Sequence, residues 1–185
     1  MKKKNIKFKF INNVDIKQLM LIFVSIFFLL AVFLFCFFKI SNSASSRSLS
    51  SKKLLRLDDG EKIRISLNER EFEVEVVNTQ LSRNQGLGGR SEIGSDGMLF
   101  VFFEKQVPIF WMKDVRFDLD FIWLNEGKIV DLENNVTQHN KGLAEEDLPL
   151  LLPNQKVNMV LEVDSGFIER NGVKIGQKIT VPRDD

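Results

Sequence analysis

The segment that most constrains this chain is residues 19–38, LMLIFVSIFFLLAVFLFCFF, which contains twenty residues and no charge. An α-helix rises about 1.5 Å per residue, so a helix of this length spans roughly the 30 Å hydrocarbon core of a bilayer. Sixteen of the twenty side chains are Leu, Ile, Phe or Val, each of which favours insertion by about 0.3–0.6 kcal/mol near the helix centre. We therefore predict a single transmembrane helix over residues 19–38.

A cleavable signal peptide is the alternative to a retained anchor. Ala44 follows small residues and is a possible end of a processed segment. The apolar run is longer than the usual signal-peptide core of about 7–15 residues, however, and this length favours retention. Lipid attachment at Cys36 is disfavoured because bulky phenylalanines flank it on both sides.

The charges around the apolar segment predict its orientation. Six lysines lie in residues 1–18, whereas residues 39–56, a Ser-rich stretch of the same length, hold five cations. Positive charge favours the cytoplasmic side, so we predict a cytoplasmic N-terminus over residues 1–18 and an extracytoplasmic location for the rest. The composition of residues 39–56 is typical of a flexible tether, which leaves residues 57–185 as one folded domain.

Charge and residue usage limit the function of that domain. Residues 1–56 carry eleven Lys/Arg against one Asp, a net +10, whereas residues 57–185 carry fifteen Lys/Arg against twenty-four Asp/Glu, a net −9. An acidic domain is a poor partner for phosphate backbones, so we expect no nucleic acid. With one cysteine, Cys36, and one histidine, His139, the sequence predicts no disulfide, no metal site and no cofactor.

Hydrophobic alternation predicts a mainly β domain. Apolar residues recur every second position over 63–67 and again over 72–76, which indicates a hairpin, and the unbroken apolar run 98–103 indicates a central strand. Further strands are predicted near 118–124, 128–134 and 158–163, with a three-residue NEG loop between the first two. Six or more strands and two short helices predict a small curled sheet or partly closed β-barrel in the α+β class.

The stretch FWMKDVRFDLDFIWL, residues 110–124, supplies most candidate site residues. Asp120 shares a strand face with apolar residues, so its carboxylate needs a counter-charge from Lys113, Arg83 or Arg90, or else backbone N–H donors. The second arrangement would make Asp120 a structural brace. Trp111 is either core or a stacking surface for a ligand. The candidate ligand-binding residues are therefore Arg83, Arg90, Trp111, Lys113 and Asp120.

The inventory for catalysis leaves the question of an enzyme open. There is no tyrosine and no usable cysteine, and neither Ser91 nor Ser95 has an adjacent base in sequence. Carboxylate chemistry remains possible if Asp120 pairs with a second acid such as Asp118 or Glu133. The long loop 135–156 holds His139, the acids 145–147 and an apolar LPLLLP segment, which either packs on the sheet or forms a lip for a partner or membrane.

Residues 62–181 resemble the family called domain of unknown function 192. The resemblance is carried by five blocks in order, which are RNQGLGGR, DGMLFVF, FWMKD, LDFIWLNEGKIVD and LEVDSGFIERNGVKIGQKI. The resemblance implies a compact, largely β, barrel-like fold and no established activity. It places emphasis on Arg83, Gly86, Leu87, Arg90, Gly97, Met98, Phe110, Trp111, Met112, Lys113 and Asp120. The chain departs from the family pattern at Gly88, where methionine is usual, at Asp114-Val115 and at Asp118.

Three functional hypotheses follow from the sequence. The first is a membrane-anchored extracytoplasmic binding or accessory module for an unknown small molecule, glycan or envelope protein. The second is an envelope-associated enzyme that uses Asp120 as acid or base. The third is a structural scaffold in which the same charged residues are internal braces.

Overall fold

The computed structural model describes residues 16–43, 47–138, 144 and 147–181. The basic residues 2–9, His139, Glu145 and Glu146 lie outside the described residues. The chain divides into two units, residues 1–45 and 46–185, each of which is described by itself.

The first unit contains one long helix, α1, over Ile16–Ser43. Its described side chains are those of residues 20–34, and all of them are exposed. Within the described residues, no helix is both long and apolar enough to cross a membrane.

Over its described residues, the second unit is an eight-stranded sheet with three short helices. The strands are β1 Arg47–Ser48, β2 Lys62–Leu67, β3 Arg70–Val77, β4 Gly97–Gln106, β5 Leu119–Asn125, β6 Lys128–Val136, β7 Val157–Asp164 and β8 Thr180–Val181. The helices are α2 Ser51–Leu54, α3 Gln80–Gln85 and α4 Phe167–Arg170. The strand order is β1-β8-β2-β3-β4-β7-β5-β6, and β3 pairs with β4 in parallel. A mainly β domain with a curled sheet is thereby confirmed.

Two tight turns close the predicted hairpins. Asn68 and Glu69 link β2 to β3 with φ of 52° and 65°, and Glu126 and Gly127 link β5 to β6 with φ of 49° and 76°. Two consecutive positive φ angles are the signature of turns that match the twist of a hairpin. The second loop therefore has two residues rather than the three predicted, because Asn125 pairs with Lys128 as part of the ladder.

The central strands are buried on both faces. In β4, Leu99 and Val101 belong to one apolar cluster, which α2 and α4 also join, and Met98, Phe100 and Phe102 belong to another. Strands β5 and β7 divide their apolar side chains between the same two clusters. The first is called the helix-side core and the second the loop-side core. The predicted central strand over 98–103 is therefore confirmed as buried on both faces over 98–102, but Phe103 is 83% exposed.

Residues 47–56 form part of the folded unit, although their composition predicts a tether. β1 pairs with β8, and Leu49 is fully buried in the helix-side core. The Asn158 side-chain amide donates to Ser51 Oγ at 2.9 Å and to Glu126 Oε1 at 2.6 Å, which ties α2 to the β5–β6 turn. The buried leucine and this network stabilise a segment whose serines alone favour flexibility.

Candidate functional site

A pocket of about 1200 Å³ opens over the loop-side core. Its floor is formed by side chains of β4 and β7, and its walls by α3, the glycine-containing loop 86–89 and the loop 106–116. Leu150 completes the lining. The charged residues in the lining are Arg83, Lys113, Asp114, Arg116 and Glu162.

Helix α3 supplies Arg83 to this pocket. The helix begins with a capping box in which the Thr79 side chain accepts from the Ser82 N–H, while Ser82 Oγ accepts from the Thr79 N–H. Arg83 Nη1 donates to the carbonyls of Asn78 at 2.6 Å and Val101 at 2.9 Å, and Nη2 donates to the Gln80 side chain at 3.2 Å. The guanidinium lies 5.2 Å from the centre of the Phe102 ring. Burial lowers the pKa of Arg83 from its ordinary value, but an arginine remains charged at neutral pH.

Loop 106–116 forms the apolar wall. Phe110 and Leu151 form an antiparallel bridge, with N–H to carbonyl distances of 3.0 and 2.8 Å. Phe110 packs edge-on against Phe100, with ring centres 5.0 Å apart. Residues on either side of an extended bridge point the opposite way, so Ile109, Trp111 and Leu150 remain 62%, 42% and 54% exposed and line the pocket.

The two loops contact each other at the rim. The Gly89 N–H donates to the Asp114 carbonyl at 2.9 Å. A Cβ at Gly88 would lie 3.1 Å from the Gln85 carbonyl and 3.4 Å from that of Lys113. The absence of a side chain at Gly88 therefore lets this loop approach the backbone of Lys113. Lys113 Nζ lies 5.6 Å from the centre of the Trp111 ring, within reach of a cation–π interaction.

Glu162 is the most unusual residue in the lining. It belongs to β7 and lies beside Met98 of β4 and Phe121 of β5, on the face of the loop-side core. Its side chain is 5% exposed, and among the described residues its carboxyl group has no hydrogen-bond or ion-pair partner. Burial raises the pKa of Glu162 to about 8, because a charge in an apolar environment is poorly solvated. At neutral pH the group is mainly a neutral acid, able both to donate and to accept a hydrogen bond.

Comparison with known proteins decides the family. The model of DUF192, a domain of unknown function described as an Uncharacterized ACR, matches residues 62–181. This chain belongs to the DUF192 family. The resemblance drawn from the sequence is thereby confirmed, and no curated protein matches the chain.

Two solved structures share the DUF192 fold seen here. A protein from Sinorhizobium meliloti 1021, described as a proposed transcription regulator, is 27% identical with a TM-score of 0.54, and the match covers 64% of this chain and 91% of that one. A protein of unknown function from Novosphingobium aromaticivorans DSM 12444 is 22% identical with a TM-score of 0.56, and the match covers 67% of this chain and 88% of that one. At 22% identity the second likeness shows the fold alone.

The predicted site residues separate into two groups in the DUF192 domain. Arg83, Trp111 and Lys113 line the pocket, whereas Arg90 and Asp120 do not. Arg90 forms a two-pronged ion pair with Glu75 over distances of 2.7 and 2.8 Å. Hydrogen bonds from Arg90 lower the pKa of Glu75, and this pair raises the pKa of Arg90 in turn.

Asp120 is fully buried on the helix-side face of β5. Its Oδ1 accepts the Asn135 N–H at 2.8 Å, and its Oδ2 accepts the Ile168 N–H, in the first turn of α4, at 2.9 Å. Both oxygens are therefore occupied by backbone donors. This is the arrangement of a brace that joins β5, β6 and α4.

Glu162 was not among the candidates from the sequence. The available signal was a carboxylate inside the apolar run VNMVLEV, residues 157–163, where a charge between buried leucine and valine is rare without a partner. The pattern could not identify its neighbours, since these come from β4 and β5. Only the strand order places Glu162 beneath α3 and the loop 106–116.

Proposed function

We propose that this chain is a membrane-anchored binding module whose pocket takes a small organic anion. The observation that carries the proposal is the Glu162 carboxyl group, which lines the pocket and has no partner among the described residues. Among the described residues, no fully enclosed side-chain N or O atom lacks a partner, so the Glu162 carboxyl group faces the open space of the pocket. A ligand in the pocket can therefore form the hydrogen bonds that the protein does not supply to this group.

The charges of the lining favour an anion. Arg83, Lys113 and Arg116 contribute three positive charges against one from Asp114, while Glu162 is mainly neutral at pH 7. A cleft dominated by one sign of charge attracts ligands of the opposite sign. Trp111 and the phenylalanines beside it offer surface for the remainder of the ligand.

The binding test uses the full chain in lipid nanodiscs. Titration with a panel of small organic anions is followed by tryptophan fluorescence and by calorimetry, with empty nanodiscs as the blank. We expect saturable binding that falls at least tenfold in Glu162→Met and is unchanged in Glu71→Met, which alters an exposed glutamate of β3. Equal affinity in the two variants would refute a role for Glu162.

The membrane setting belongs to the same proposal. It is supported by the uncharged segment 19–38 and by the excess of lysine before it. A reporter fused after Asp185 is expected to be active outside the cytoplasm, and the full chain is expected in the membrane fraction. Recovery of the full chain in the soluble cytosolic fraction would contradict the anchor.

One observation favours a second candidate, an enzyme that uses Glu162 rather than Asp120 as acid or base. A carboxyl group with a pKa of about 8 is well matched to proton transfer near neutral pH. Chemical change of a bound anion during the titration, absent in Glu162→Met, would support this candidate. Binding without change supports the module.

Similarity to the structure described as a proposed transcription regulator does not favour a DNA-binding function for this chain. Residues 57–185 of this chain carry a net charge of −9, and such a domain gains little from contact with DNA phosphates. The pocket also combines aromatic rings with a few charged side chains, a composition typical of small-molecule sites.

A further inference from the structure

The lone carboxyl group of Glu162 restricts the chemistry of what can bind it. A neutral carboxyl group presents one O–H donor and one carbonyl acceptor side by side. A ligand carboxyl or carboxylate group can receive the donor directly, and a carboxamide can complete both bonds. An alcohol satisfies the pair less well because it has no rigid donor–acceptor edge.

Charge separates the remaining classes. An amine could ionise Glu162 and pair with it, but it would lie in a lining that holds Arg83, Lys113 and Arg116. Like charges in one cleft repel each other, more strongly where water is scarce. A carboxylate is attracted by the same three cations and gains over a neutral amide.

The apolar wall indicates the rest of the ligand. The bridge between Phe110 and Leu151 turns Ile109, Trp111 and Leu150 outward, where they line the pocket while remaining about half exposed. Apolar surface of this kind gains roughly 25 cal/mol for each Å² removed from water. The pocket volume of about 1200 Å³ leaves room for such a ligand body.

We infer that the pocket binds a monocarboxylate with an apolar or aromatic body, whose carboxylate shares a hydrogen bond with Glu162. The body of the ligand lies against Ile109, Trp111 and Leu150. The inference rests on the proposed function and narrows it to one ligand class.

A matched set of probes tests the class. The probes are 3-phenylpropanoate, 3-phenylpropanamide, 3-phenylpropan-1-ol and 3-phenylpropylamine, which differ at one end and share a body. Acetate tests the contribution of the body. With the full chain in nanodiscs at pH 7, we expect the phenylpropanoate to bind at least tenfold more tightly than every other probe.

The pH dependence tests the shared hydrogen bond. The other charged residues lining the pocket are Arg83, Lys113, Asp114 and Arg116, and the strand neighbours of Glu162, Met98 and Phe121, do not titrate. Affinity for the carboxylate is expected to fall at least tenfold between pH 7 and 9.5, as Glu162 ionises and repels it. Glu162→Gln, which stays neutral, is expected to bind with little change over this range.

The outcomes test the monocarboxylate class separately from the proposed binding of anions. Tighter binding of a phosphate or sulfonate ester of the same body would overturn the monocarboxylate class and leave anion binding intact. A pH profile that persists in Glu162→Gln would overturn the shared hydrogen bond. Failure of every anion to bind the wild-type chain would overturn both proposals.

Discussion

Two buried acidic side chains in adjacent strands differ in what surrounds them. Asp120 of β5 pairs with Val163 of β7, and Glu162 of β7 pairs with Phe121 of β5. The two acids belong to adjacent pairs, yet they point to opposite faces of the sheet. On the helix-side face, Asp120 accepts two backbone N–H groups. On the loop-side face, Glu162 has no described partner and lines a pocket.

The comparison separates a structural acid from a candidate functional one. Hydrogen bonds to both oxygens stabilise a carboxylate and leave it little capacity for a ligand. A buried acid without such bonds is destabilising in the free protein, so its presence in a pocket favours a role in binding. Sequence pattern alone left Asp120 as either a brace or a functional acid, and the contacts make it a brace and favour Glu162 as the functional acid.

The largest expected effect is the removal of the unpartnered acid. The pKa of Glu162 is raised to about 8 in the folded protein. Between the pKa of the unfolded chain and pH 8, the folded state therefore holds a proton that unfolding releases. The free energy of unfolding falls as pH rises through this range. Glu162→Met removes that loss, so the difference in free energy of unfolding between this variant and the wild type should grow by about 4 kcal/mol between pH 5 and 9. Denaturant titrations at the two pH values measure it, and a gain independent of pH would contradict the buried acid.

The next effect is the loss of a brace. Asp120→Asn leaves one of two backbone N–H groups facing an amide donor, and we expect the free energy of unfolding to fall by about 1–3 kcal/mol. Ligand affinity should not change. Asp118→Asn is the matched control, since Asp118 is exposed and accepts one N–H, from Gln138. Retained stability with lost binding would reverse the roles assigned to Asp120 and Glu162.

A smaller effect is expected at the ion pair of Arg90. Arg90→Gln should lower the free energy of unfolding by about 1 kcal/mol, because a partly exposed pair is screened by water. The pKa of Glu75 is lowered by Arg90, so the contribution is present at neutral pH and is lost as pH falls through the folded pKa. Arg64→Gln, at an exposed position of β2, serves as control. Loss of ligand affinity in Arg90→Gln would extend the site beyond the pocket.

The smallest effect compares two residues with the same backbone conformation. Asp114 at the pocket rim and Asn135 beside Asp120 both have φ of 57°. Asp114→Gly should raise the free energy of unfolding by about 0.5 kcal/mol, since glycine adopts this conformation without strain. Asn135→Gly should lower it, because the Asn135 side chain accepts a hydrogen bond from Ser165 Oγ. Thermal unfolding of both variants measures the contrast, and equal shifts would argue against it.

Much of the fold was predictable because it depends on short-range patterns. Alternation over 63–67 and 72–76 predicts the β2–β3 hairpin, and the continuous run after Gly97 predicts a strand buried on both faces. Three of the five proposed site residues line one pocket. Trp111 and Lys113 lie in the same loop, and Arg83 lies in the capped helix α3. The folding of residues 47–56 was not predicted, because burial of Leu49 depends on contacts with strands far along the chain.

The sequence by itself determined that one segment is uncharged and apolar, that the remainder is acidic and mainly β, and that Asp120 needs partners. These properties are local, since they follow from composition and from the period of side chains along a strand. Only the tertiary structure decided which acid is satisfied and which is not. The strand order β4-β7-β5 places Glu162 between the apolar side chains of Met98 and Phe121, whereas the Ile168 N–H of α4 donates a hydrogen bond to Asp120.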